Sequence, residues 1–149
     1  MGFEKKSRPA ARGWLNGTQS IPTATQTAIS LNTQNYDTDA MFTPTDTKIY
    51  AKRFGGYYLG FANANFSPNS TGYRAVYIRR NGSPTDIVAM VSAGNWGADD
   101  GPTLHVGDVF YLNVNEYVEL CVTQTSGANL NVNGGTYLTF LTLAHHSGR

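Results

Sequence analysis

Between Trp14 and Ala144 no stretch of the chain keeps a helical apolar period. The apolar runs are short, rich in β-branched and aromatic residues, and stop at Gly, Pro, Asn or Asp. Such a chain can bury its apolar groups only by pairing strands. The pattern predicts strands at 25–31, 47–54, 57–66, 73–80, 86–92, 108–114, 117–124, 128–133 and 136–144. They are separated by turn signals such as Asn81-Gly82, Gly101-Pro102, Ser126-Gly127 and Gly134-Gly135. Strand follows strand without a crossover helix, so the sheets must be antiparallel. An all-β jelly-roll sandwich of eight to ten strands is expected. Charged residues make up only 14% of the chain, against about 25% in an average domain, and Thr, Asn, Gly, Ser and Tyr fill the gap.

The charges are unevenly placed. Lys5, Lys6, Arg8 and Arg12 face Glu4 alone in the first twelve residues, and no apolar period is visible there. Residues 1–13 therefore read as a basic extended arm and 14–149 as one domain. Outside the arm, seven basic residues stand against nine acidic ones, which argues against a nucleic-acid-binding face. The first residues are charged where a secretory leader needs an apolar run, and no stretch reaches eighteen apolar residues, so no membrane partner is expected.

Two segments are apolar on both alternating sets. In 57–66, Tyr57, Leu59 and Phe61 alternate with Tyr58, Gly60 and Ala62. In the last predicted strand Tyr137, Leu141 and Leu143 alternate with Leu138 and Phe140. A strand with one face on the core and one in water should be polar on the second set. Self-association that covers Tyr57, Leu59, Phe61, Tyr137 and Leu141 is the economical reading. By contrast Val118, Leu120 and Val122 mark a single core face opposite Tyr117, Glu119 and Cys121.

Chemistry-bearing motifs are sparse. No nucleophile elbow, phosphate loop or paired-cysteine metal motif is present, so neither an enzyme nor a cofactor is expected. Cys121 and His105 offer a nucleophile and a base, but Cys121 lies mid-strand in an apolar run and reads as structural. His145-His146 reads as a solvated tail rather than a metal site, and Asp99-Asp100 as a polar turn with Ca²⁺ as its alternative. Gly107-Asp108 reads as a turn. Trp96, flanked by small residues, is expected to pack within an assembly or to meet a host ligand together with the loop at Asn69. Trp14 is expected to staple the arm or dock it on a partner.

Three stretches carry a resemblance. They are Gln19-Ser20-Ile21-Pro22 through Leu31 with Tyr36-Asp37-Thr38-Asp39-Ala40-Met41; Lys52-Arg53-Phe54-Gly55-Gly56-Tyr57-Tyr58; and Val106-Gly107-Asp108-Val109 with Tyr117–Gly127 and Thr136–Leu141. In order and spacing they resemble the jelly roll of the tumour necrosis factor and complement globular-head superfamily, in the form found in phage virion proteins. The resemblance implies a threefold homotrimer, no enzymatic activity and a place on the virion, after synthesis in the host cytoplasm. The expected role is a capsid decoration protein. The arm (Lys5, Lys6, Arg8, Arg12) and Trp14 would contact the major capsid protein. The absence of a stalk before the domain favours that role over the alternative, a fibre-tip adhesin contacting a host surface glycan or protein.

Overall fold

The structure, a computed structural model, describes residues 7–94 and 96–148. Among these residues there is no helix, and twelve strands form two antiparallel sheets. The larger, seven-stranded sheet contains β1 (Ala10–Trp14), β2 (Thr18–Ile21), β4 (Thr33–Asp37), β6 (Gly56–Phe66), β9 (Thr103–Leu112), β11 (Leu130–Asn133) and β12 (Phe140–Ser147). The five-stranded sheet contains β3 (Thr27–Ala28), β5 (Lys48–Tyr50), β7 (Tyr73–Arg80), β8 (Ile87–Gly94) and β10 (Tyr117–Gln124). The count exceeds the expected range because β1, β2 and β4 lie where no strand is expected, whereas β3 and β5, short ladders on β10, fall inside the expected strands 25–31 and 47–54.

The longest strand, β6, organises the larger sheet. It pairs with β9 along one edge and with β12 and β11 along the other. Its inward set, Tyr58, Gly60, Ala62, Ala64 and Phe66, has no accessible side-chain surface or is buried, and three of these five are small. Small residues there let rings from neighbouring strands lie across the sheet. A Cβ on Gly60 would sit 2.6 Å from Cε1 and 2.7 Å from Cζ of Phe110. The outward side repeats the device in reverse: a Cβ on Gly107 would sit 2.5 Å from Cδ1 of Phe61. Each glycine is thus the floor beneath an aromatic ring of the adjacent strand. From the facing sheet Val76, Ile78, Val118, Leu120 and Val122 close the core.

The structure corrects three boundaries. The arm is shorter than expected, because Ala10–Trp14 is a strand paired with both β12 and β4. Its inward residues are Ala11 and Gly13, small because the Phe42 ring lies 2.9 Å from where a Gly13 Cβ would be. Without large apolar residues the strand left no period to read. Second, 103–112 is one strand, in which Gly107 pairs with Phe61 and Asp108 with Gly60, so Gly107-Asp108 is not a turn. Third, the last strand begins at Phe140, and residues 136–138 form a turn closed by Leu138 N–H donating to Gly135 O at 3.0 Å. That shift sends Leu141 and Leu143 into the core, both with no exposed surface. It also makes His145-His146 part of a strand rather than a tail, with a register irregularity between His145 and Ser147.

The glycine-under-ring packing gives a direct test. Gly60→Val should place methyls against the Phe110 ring in a filled core and cost about 1–3 kcal/mol. For a chain of this size that is a fall in Tm of roughly 2–4 °C per kcal/mol, read by thermal denaturation. An unchanged Tm would mean that the Phe110 ring does not rest on β6.

Candidate functional site

The outward face of the seven-stranded sheet is the surface that does not look like a water-facing surface. Its side chains form cross-strand rows. The first row runs His105, Asn63, Phe140, Trp14, and the second Gly107, Phe61, Thr142, Arg12, Tyr36. The third runs Val109, Leu59, Ala144, Ala10, and the fourth pairs Tyr111 with Tyr57. Val109 is 47% exposed and Phe61 37%, although both lie in the middle of strands. Rings meet across the strands: Tyr57 and Tyr111 edge to face at 5.5 Å, and Phe61 stacked on His105 at 6.2 Å with 9° between planes. The Arg12 guanidinium lies 4.0 Å over the Phe140 ring.

The polar groups of this face are held by one another. Arg12 Nη2 donates to Thr136 O at 2.5 Å and Nη1 to Asn35 Oδ1. Burial lowers the Arg12 pKa, and the phenols of Tyr36 and Tyr137 oppose that shift. Asn63 Nδ2 donates to Tyr137 O at 3.3 Å, and its Oδ1 is hydrogen-bonded to His105 Nδ1. Across β1, β6, β9 and β12 the only carboxylate is Asp108, whose position in the alternation is opposite to that of His105, Gly107 and Val109. The face is therefore aromatic, with Arg12 as its fixed charge.

The other sheet presents a different outer surface. Glu119 is 4% exposed and accepts from Arg79 Nη2 at 2.7 Å, from Arg79 Nε at 3.1 Å and from Thr47 Oγ1 at 2.6 Å, while Arg79 Nη1 reaches Gln26 Oε1 at 2.8 Å. The Arg79 pKa is raised: burial opposes the charge, but the hydrogen bond and charge of Glu119 outweigh it. That network satisfies its own members. Tyr73 and Met90 are exposed on β7 and β8, at the edge away from it.

The sequence-predicted residues separate accordingly. Tyr57, Leu59 and Phe61 share the outward face, and Trp14 joins it in the same row as Phe140. Tyr137 is 82% exposed but sits in the turn beside Asn63. Leu141 does not belong with them, since it is fully buried in the core. Lys5 and Lys6 lie outside the described residues. Arg8 is exposed and donates to His146 O, whereas Arg12 is committed to β1 and the Phe140 ring. Trp96 is half-buried against the core of its own chain. Asn69 is half-buried, its carbonyl accepting from Arg74 Nη2 at 2.9 Å and its Oδ1 from Thr71 N–H at 2.8 Å. Asp100 Oδ2 accepts the Gly97 N–H at 2.6 Å, which makes Asp99-Asp100 part of a closed turn. Among the described residues no three His, Cys, Asp or Glu side chains gather into a metal site.

Sequence reasoning missed His105, Val109, Tyr111 and Phe140 as members of one face. The signal was present in the alternation Leu104, Val106, Phe110, Leu112 against Thr103, His105, Val109, Tyr111, and reading Gly107-Asp108 as a turn concealed it.

The suggested Cys121–His105 pair has no geometry, because the two lie on different sheets and His105 faces outward. Burial, first, and the nearby Glu119 raise the Cys121 pKa from 9.0 to about 12, against the opposing charge of Arg79. Alkylation of native protein at pH 8 should be at least about a hundredfold slower than in denaturant, because only thiolate reacts. A thiol ionising more readily when unfolded also removes stability as pH rises from 9.0 towards about 12, and Tyr58, buried and likewise raised to about 12, adds to that loss. Equal labelling rates in the two states would refute the buried placement.

No protein-family model and no curated protein sequence matches the chain. Solved structures do. The chain is similar to Eiger TNF from S. frugiperda (TM-score 0.70, 12% identity, covering 96% of each chain). It is similar to murine APRIL at pH 8.0 (TM-score 0.71, 12% identity, covering 94% of this chain and 100% of that one). It is also similar to the globular domain of zebrafish complement 1qA (TM-score 0.61, 15% identity, covering 95% and 100%). The architecture is thus a jelly roll of the tumour necrosis factor and complement globular-head type.

Proposed function

We propose that the chain is a non-enzymatic binding module that assembles into a homotrimer through the outward face of its seven-stranded sheet and serves as a phage capsid decoration protein. One observation carries the assembly: aromatic and aliphatic side chains from four adjacent strands form a continuous outward face free of carboxylates. Leaving such a surface in water forfeits its hydrophobic burial energy. A cyclic assembly of identical chains covers it, and the resemblance in sequence and fold points to threefold closure.

The virion role rests on the three resembling stretches of sequence. The major capsid protein is the proposed partner, and decoration by trimers would stabilise the closed shell by mass action. Of the residues first expected to make the capsid contact, Lys5, Lys6 and Arg8 remain candidates. Arg12 and Trp14 belong instead to the self-association face. The receptor-binding alternative is less well supported, because Trp96 packs on its own core and Asn69 is tied to Arg74.

In sedimentation equilibrium at micromolar concentration the protein should run at three times its 16.2 kDa chain mass, and Phe61→Asp should run as a folded monomer. A monomeric native protein would sink the assembly. Deleting residues 1–6, which leaves β1 intact, should give folded trimers that no longer co-sediment with purified shells. Undiminished occupancy would remove the capsid-contact assignment.

A further inference from the structure

The self-association face holds a titratable group at a position where a charge has no counterpart. His105 stands on β9 in the row with Asn63, Phe140 and Trp14, its ring parallel to that of Phe61. Its tautomer follows from its partners. Asn63 Nδ2 donates to Tyr137 O at 3.3 Å, which turns Asn63 Oδ1 towards the imidazole and requires His105 Nδ1 to carry the hydrogen. Nε2 is then the nitrogen that takes up a proton, and it has no hydrogen-bond partner among the described residues.

The groups around it determine the sign of the effect. It meets Asn63 and Phe61 of β6; further across the face stand Phe140 and Thr142 on β12 and, three strands from His105, Arg12 on β1, with Tyr57, Tyr111, Tyr36 and Tyr137 as the phenols of the face and its bordering turn. On its own strand Asp108 has the opposite alternation, and its Oδ1 accepts the Val109 N–H at 2.7 Å. From β4, Asp37 is engaged by the backbone N–H groups of Asp39, Met41 and Phe42. Besides these phenols, the charged or titratable groups that share the outward alternation with His105 are Arg12 on β1 and His146, which follows Ala144 at the exposed end of β12.

We propose, on the reading that this face self-associates, that the association is acid-sensitive and that His105 is the switch. Imidazole is the side chain whose ordinary charge change falls between about pH 5 and 8. Above that range a neutral ring enters the apolar interface. Below it each copy brings a cation that must be desolvated on a face holding no carboxylate to pair with it, so proton uptake favours the separated chains.

The test is the association constant from sedimentation between pH 8 and pH 5, for native protein, His105→Gln and His146→Gln, with circular dichroism checking the fold at each pH. The native protein should be assembled at pH 8, and its dissociation should become at least tenfold more favourable by pH 5. Whatever their constants at pH 8, His146→Gln should keep the native tenfold or greater weakening by pH 5, and the constant of His105→Gln should change less than about twofold over the same range. Native protein assembled equally at both pH values would overturn the switch and leave the association standing. Parallel dissociation of native protein and His105→Gln would assign the effect to another group and overturn it as well. A monomer at every pH would overturn the association itself.

Discussion

The fold depends on a division of labour within one strand. The inward positions of β6 are mostly small, so the core above them is filled by rings and branched side chains reaching over from β9 and the facing sheet. Its outward positions carry Tyr57, Leu59 and Phe61, which nothing in the single chain covers fully. Interiors tolerate little empty volume, so small residues in the centre of a long strand are stable only where a neighbour supplies the missing bulk. Phe110 over Gly60 does this inside, and Phe61 over Gly107 does it outside. The outward rings are therefore fixed by the same cross-strand register that builds the core, and they form a flat, ordered surface rather than a set of loose side chains.

Much of this was legible in the sequence, and the misreadings share a cause. Strands 73–80 and 117–124 were bounded correctly, because Asn81-Gly82 and Ser126-Gly127 are turn signals and both strands keep alternating large apolar groups. Asn81 and Gly82 both adopt positive φ, as a tight turn requires. Where a strand places glycine or alanine beneath a neighbouring ring the period fades. That hid β1, whose inward residues are Ala11 and Gly13, the latter beneath Phe42, and it made the outward Gly107 with Asp108 look like a turn inside β9. In 57–66 both alternating sets are apolar, with Tyr58, Ala62 and Phe66 in the core and Tyr57 and Phe61 exposed. The membership of the outward face was misassigned at the last strand, because one displaced boundary at Phe140 exchanged Leu141 for Phe140 as the outward residue.

The low charge content has a structural counterpart. Several of the few charges are placed inside the fold. Arg74 has no accessible surface and spends its Nη1 and Nη2 hydrogens on the backbone carbonyls of Asn69, Thr71 and Tyr73, with burial lowering its pKa. Glu119 is bound by Arg79 and Thr47. Both side chains lie in the five-stranded sheet or its loops, where they tie turns to strands, and they leave the aromatic face without carboxylates. An antiparallel sheet normally keeps its solvent face wet with charged and polar groups. Here neither sheet does so: on the five-stranded sheet Ala75, Tyr77, Glu119 and Cys121 are buried on the side away from the main core, and on the seven-stranded sheet the outward positions are largely aromatic and aliphatic.

The same division explains how so low an identity with solved jelly rolls coexists with coverage of nearly the whole chain. A sandwich of this kind constrains inward positions only to be apolar and of complementary size, a condition many sequences meet. Function then resides in outward positions, which the fold leaves free to vary. In this chain those positions hold rings, a stacked histidine and an arginine lying on Phe140, and they hold no nucleophile within reach of a base. On the proposed reading a surface of that composition acts by being covered, and what drives it is the free energy released when apolar area leaves water, directed by register and tuned by whatever charge the covered face must carry.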